Sequence, residues 1–112
     1  MTPRIFSGAT LTLAAVFGCA PVFAQDPAVR SLAGTCFTCH GTDGNSVGNV
    51  PPSLAGRPSA ELFQMMKDFQ SGKRPATIMH QQALGYTDAQ LQAIAAYFAA
   101  VKPAPPRTPA KP

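Results

Sequence analysis

The sequence predicts an all-α domain, and three observations carry that expectation. Apolar residues recur at helical spacing in three stretches, around residues 29–33, 62–69 and 91–101. No run alternates apolar and polar residues in the manner of a half-buried strand. Between the helical stretches, glycine and proline punctuate residues 41–58 and the segment from Gly72 onward, which excludes regular structure there. At 112 residues, 46% hydrophobic and 12% charged, the chain suits one small globular domain rather than a disordered or fibrous one.

Residues 1–24 read as a secretory leader, not as part of that domain. Arg4 gives a basic start, residues 11–20 form an apolar stretch too short to span a bilayer, and Val22-Phe23-Ala24 is a small-residue cleavage signature before Gln25. A retained anchor would be expected to show a second hydrophobic run or a basic flank. Lipidation at Cys19, after Val16-Phe17-Gly18, is disfavoured by the bulk of Phe17. The expectation is export to the periplasm, no stable membrane insertion after leader removal, a domain of residues 25–101, and a proline-rich, basic, disordered tail of residues 102–112.

Asp26 before Pro27 is a helix start, an N-cap side chain followed by a residue whose missing N–H costs nothing in the first turn. The helix should cover residues 27–39 and bury Val29, Leu32 and Ala33. Gly34 and Thr35 lower its intrinsic propensity, so its last turn needs outside support. That turn carries Cys36-Phe37-Thr38-Cys39-His40, the pattern of a covalent attachment site for c-type haem. The i, i+3 spacing places both sulfurs on one helix face, each able to add to one vinyl group of a porphyrin, with His40 in reach of the iron. A disulfide or a redox dithiol is the main rival, and thiol redox chemistry would need a thioredoxin-like βαβ pattern that is absent. Zinc lacks the ligand spacing of a structural site, since His80 is distant.

The loop of residues 41–58 is long for a compact domain, and its expected task is to wrap the haem. A loop carbonyl should accept the Nδ1–H of His40; Pro52 is the named acceptor and Leu54 should pack on the porphyrin. Stiffening of the loop by Pro51-Pro52 is the alternative role. Ser59 is expected to cap a second helix with Leu62, Met65, Met66 and Phe69 on one face and Gly72 as its stop. Met65 and Met66 at that spacing are core residues. Met79 and His80 follow in an irregular stretch, and either could fill the sixth iron position opposite His40. The last helix opens with a capping box, Thr87 to Gln90. It presents Leu91, Ile94, Ala95, Phe98 and Val101, and Pro103 prevents its continuation.

With these residues in place the chain resembles the class I c-type cytochromes across residues 27–101. The matching signs are Cys36-Phe-Thr-Cys39-His40-Gly41, Pro52-Ser-Leu54-Ala-Gly56, Pro75-Ala-Thr-Ile-Met79 and the Ile94 to Tyr97 helix. The resemblance implies a small class I cytochrome c fold, three to four helices wrapped around one covalently bound haem c. It further implies thioethers at Cys36 and Cys39, His40 and Met79 as axial ligands, and Pro52 as the acceptor for His40. The first and last helices should then cross near Leu32, Ile94 and Tyr97. Within the class, the stretches 68–75 and 77–88 look most like the haem subunit of flavocytochrome c sulfide dehydrogenase, which takes electrons from a flavoprotein subunit. The c4-type and c553-type carriers share part of the pattern, and a single haem motif excludes a complete two-haem carrier.

The implied function is single-electron transfer by a non-enzymatic redox protein. A free-standing carrier is one alternative, a haem enzyme or gas sensor with a labile sixth ligand another, and a structural docking subunit a third. Charge adds little despite a pI near 9.3. Between residues 25 and 101 five basic side chains face five acidic ones, so the excess lies in the leader and tail. No basic stripe interleaves with aromatics, which excludes a nucleic-acid surface. Lys73-Arg74, close in sequence to Met79, is placed to steer an acidic redox partner, with a solvated turn as the equal alternative.

Overall fold

The computed structural model describes residues 26–48 and 50–105, so the expected leader and the tail from residue 106 lie outside the described residues. Four helices run in chain order, α1 Pro27–His40, α2 Ser59–Gln70, α3 Met79–Leu84 and α4 Asp88–Ala100, with one 3₁₀ turn at Thr42–Gly44. Among the described residues there is no strand element, and the fold is the small class I cytochrome c arrangement.

The first and last helices start where their caps dictate. Asp26 Oδ1 accepts from the Ala28 amide at 2.8 Å with Pro27 behind it. At α4 the Thr87 hydroxyl accepts from the Gln90 amide at 3.2 Å, and the Gln90 side chain accepts from the Thr87 amide at 2.9 Å. Helix α1 runs one residue past expectation, to His40, and stops at Gly41, where φ is +80°. A Cβ there would stand 2.1 Å from the Asn45 carbonyl oxygen, so only glycine permits this exit.

Helix α2 differs from expectation at its start. Ser59 is its first residue, not its cap, because the Pro58 carbonyl already takes the first helical bond, from the Leu62 amide at 3.1 Å. Arg57 and Glu61, one turn apart, pair across this end. Helix α3 was not anticipated at all; the segment from Gly72 was expected to be irregular, and Met79 opens a six-residue helix instead.

Helices α1 and α4 pack together, α2 lies on α4, and α3 lies on α2. The shared core joins Ala33, Leu62, Ile94, Ala95, Tyr97 and Phe98, with Leu32 and Phe37 against it. Alanines at 33 and 95 let the helices approach closely, and the rings of Phe37, Tyr97 and Phe98 fill the crossing with centroids 5.2–6.2 Å apart. The chain does not leave this core after α4. Pro103 is seated over Gly56, and the Ala104 amide donates to Asn45 Oδ1 at 2.6 Å, so the first residues of the expected tail are held on the loop.

Candidate haem site

The last turn of α1 carries Cys36, Cys39 and His40 at i, i+3 and i+4, on one helix face. Both cysteines are free thiols, Cys36 half-buried and Cys39 exposed. Burial pushes the Cys36 thiol up from its ordinary value, only partly opposed by the Thr35 hydroxyl. Thiol redox work needs the reverse, a thiolate favoured by a helix N-terminus or a cation. This pair instead sits at a helix C-terminal turn, whose carbonyls disfavour negative charge. Among the described residues no three His, Cys, Asp or Glu side chains converge, so zinc has no donor set.

His40 is buried, and its Nδ1 lies 2.7 Å from the Pro52 carbonyl oxygen. A carbonyl only accepts, so Nδ1 carries a proton, and Nε2 is the ring nitrogen free to serve as a ligand in the neutral tautomer. Serine bonds bracket that carbonyl on both sides. The Ser46 hydroxyl donates to the Pro51 carbonyl, and the Ser46 amide donates to the Ser53 hydroxyl at 3.0 Å. The same loop is tied down by the Gly44 carbonyl, which accepts from the Leu54 and Ala55 amides at 2.8 and 3.1 Å. Gly44 has φ +76°, and a Cβ on it would meet Phe98 Cδ1 at 2.7 Å, so the loop presses directly on α4. Leu54 packs half-buried against the core from this side.

Met79 is half-buried at the first position of α3, followed by a half-buried His80. Met65 packs against the core, as its spacing implies, and Met66 is half-buried on α2. Lys73 and Arg74 are partly engaged already. Lys73 Nζ is 3.7 Å from an Asp68 oxygen, and the Arg74 guanidinium lies 5.5 Å from the centre of the Phe69 ring.

Five contacts around the site were not evident in the sequence. Gln70 Nε2, on α2, donates to the carbonyls of Ala83 and Tyr86 at 2.8 and 3.2 Å. The Tyr86 hydroxyl bonds the Thr35 hydroxyl beside Cys36. Asp43 accepts from the Tyr97 hydroxyl and pairs with Arg30 at 3.0 Å. Partners 13 to 54 residues apart leave no local signal.

Two unpaired sulfurs one turn apart, beside an imidazole oriented through its far nitrogen, are the donor set that haem c takes, and the helical fold places them at the end of one element. A c-type haem domain is therefore what fold and site define together. The model of the family described as cytochrome c oxidase, cbb3-type, subunit III matches residues 25–98, and the chain belongs to this family of c-type cytochromes, electron carriers with covalently bound haem c. Similar proteins include the cytochrome subunit of sulfide dehydrogenase of Chlorobaculum tepidum, 42% identical over 60% of this chain and 60% of that protein. Cytochrome c4 of Pseudomonas aeruginosa is 40% identical over 65% of this chain, which spans only 36% of it. Cytochrome c-554(548) of Halomonas halodenitrificans is 37% identical over 58% of this chain and 82% of its own length. The chain thus spans less than two thirds of the first two relatives. Among the described residues no helix is long and apolar enough to cross a membrane.

Proposed function

We propose that this chain is an exported, periplasmic single-electron relay that serves as the haem subunit of a sulfide-oxidising flavoprotein. Residues 1–24 direct export and residues 25–101 hold one haem through thioethers at Cys36 and Cys39. When bound, the haem supplies reversible one-electron chemistry between ferric and ferrous iron. His40 would offer Nε2 to the iron, made more basic by the Pro52 carbonyl at its Nδ1. Met79 offers its thioether from the start of α3, and Leu54 helps keep water from the porphyrin. His40 and Met79 would together hold the iron, and an iron so held would call for little rearrangement of the residues around it on redox change.

The observation that supports this reading best is the buried His40 held by Pro52, which orients an imidazole immediately after two free thiols. The sulfide dehydrogenase assignment rests on the name of the Chlorobaculum relative, and the flavoprotein partner on the resemblance of residues 68–75 and 77–88. Affinity isolation of the holoprotein from native periplasm should recover a complex with flavin absorbance stoichiometric with haem. A haem-only monomer would overturn the subunit assignment and leave the free carrier, the reading favoured by the c-554(548) relative, most of whose length this chain covers. Carbon monoxide should bind the ferrous protein slowly and incompletely at neutral pH. Rapid stoichiometric binding would reject the closed relay in favour of a haem enzyme or gas sensor.

A further inference from the structure

A six-residue helix cannot sustain itself in water, because it closes too few internal hydrogen bonds to offset its nucleation cost. Helix α3 has that length, and its cap residue Ile78 supplies no side-chain bond to its first turn. What holds it comes from outside. Ala83 is completely buried against the rest of the molecule, and the Gln70 side chain reaches across from the last turn of α2. The Gln70 amide is itself fixed from both ends. Its Oε1 accepts from Lys67 Nζ at 2.8 Å, and Lys67 is anchored on Asp88 at 2.7 Å, so Nε2 is the end aimed at α3. There it donates to Ala83 O and to Tyr86 O, at 2.8 and 3.2 Å. The second of these acceptors belongs to the residue whose hydroxyl bonds Thr35, directly before Cys36.

From this chain of contacts we infer that Gln70 is the positioning residue for the sixth iron ligand, setting where α3, and with it Met79, stands relative to the haem-bearing turn of α1. The inference rests on the reading of Met79 as an axial ligand. One amide joins the α3 end to α2 and, through Tyr86, to the helix that carries both cysteines. Loss of its two N–H donors frees α3 to shift while Cys36, Cys39 and His40 keep their own supports. The iron–sulfur bond is then the contact that weakens.

The test uses the mature holoprotein. Gln70→Glu keeps the shape but turns a double donor into an acceptor facing two carbonyls, and Gln70→Met keeps the length with no polar group. Tyr86→Phe removes only the link to Thr35. Titration of the ferric protein with imidazole, which competes for the sixth position, reads the strength of the Met79 bond. The near-infrared sulfur-to-iron absorption band and the reduction potential give independent readouts. Both Gln70 variants should bind imidazole roughly tenfold more tightly, with a weaker band and a lower potential, and Tyr86→Phe should show a smaller rise. Met79→Ala should abolish the band. If Met79→Ala abolishes it while both Gln70 variants retain wild-type imidazole affinity, band and potential, the positioning role is overturned and the ligand assignment stands. If Met79→Ala leaves the band intact, the ligand assignment fails and this inference fails with it. A fall in thermal stability of the Gln70 variants with unchanged imidazole affinity assigns Gln70 a structural role alone and also overturns it.

Discussion

Asp43 is a non-glycine residue at φ +52°, a left-handed conformation uncommon for L side chains in general and more readily adopted by aspartate. Its side chain is held by the Tyr97 hydroxyl, which donates to its carboxylate from within the core, and by Arg30, which pairs with the same carboxylate from α1. Tyr97 holds Asp43 below the ordinary carboxylate range, with Arg30 adding to the effect, although partial burial opposes both. Burial, and then Asp43, pushes the Tyr97 phenol up to about 12. Because the folded state holds the Tyr97 proton more tightly than the unfolded chain, its contribution is complete below the ordinary tyrosine value. It is lost as pH climbs from about 10 to about 12. The Asp43 contribution has the opposite sense, present above the ordinary carboxylate value and lost as pH falls through its lowered one. Asp43→Asn should therefore let Tyr97 ionise at lower pH, and tyrosinate absorbance in a Tyr86→Phe background measures this. An unchanged titration would show that the contact contributes nothing. Asp43→Ala should cost about 1–3 kcal/mol in urea unfolding by leaving a buried hydroxyl without its acceptor. None of this was legible in the sequence, where Asp43 and Tyr97 are 54 positions apart. By contrast, a histidine beside two cysteines has one ring nitrogen to spare, so the need for a nearby loop carbonyl is legible locally. Pro52 as that carbonyl follows from the resemblance to class I cytochromes, the residues alone leaving loop stiffening equally open.

At the scale of elements, legibility followed whether a helix carries its own start signal. Helices α1 and α4 have side-chain caps written into adjacent residues, Asp26-Pro27 and Thr87 with Gln90, and both begin where those residues place them. Thr87→Ala should lower stability by about 1 kcal/mol, read as a shift in the urea midpoint with unchanged slope. A shift smaller than a few tenths would mean that the Gln90 half of the box, or the Lys67–Asp88 pair beside it, suffices. Helix α2 lacks such a side-chain bond, and Ser59 misled because a serine is a good cap wherever it stands, whereas the proline before it already supplies the capping carbonyl. Helix α3 is too short for any period to register. Its stability is borrowed from Gln70 and from the burial of Ala83, and contacts of that range are invisible to a local reading.

For the molecule as a whole, the limiting quantity is apolar mass. Among the described residues nine hydrophobic ones are buried, four of them alanines, and only Phe98 and Leu91 are large side chains that are completely covered. Around this thin core, Val47, Val50, Ile78 and Leu84 remain exposed, the first three on segments adjoining His40, Pro52 and Met79. A domain of this size buries a modest fraction of its surface, and a haem bonded to α1 adds buried area against which the surrounding segments can pack. The protein part alone should then be marginal. A Cys36→Ser, Cys39→Ser chain should keep helical far-ultraviolet dichroism, lose its near-ultraviolet signal and melt without a cooperative transition, the behaviour of a collapsed chain without fixed packing. The Asp26 and Thr87 caps account for the retained helix, since both are independent of the haem. The loop of residues 41–58 should be the first part to open, because, on the proposed ligation by His40, its tether runs through an imidazole left without an iron to bind. Hydrogen exchange should show this as lost protection at the Leu54 and Ala55 amides while the interior of α4 stays protected. A cooperative melt within about 5 °C of the holoprotein, a shift worth only about 1 kcal/mol in a domain this small, would show that the polypeptide supplies its own core and that the haem is cargo rather than structure.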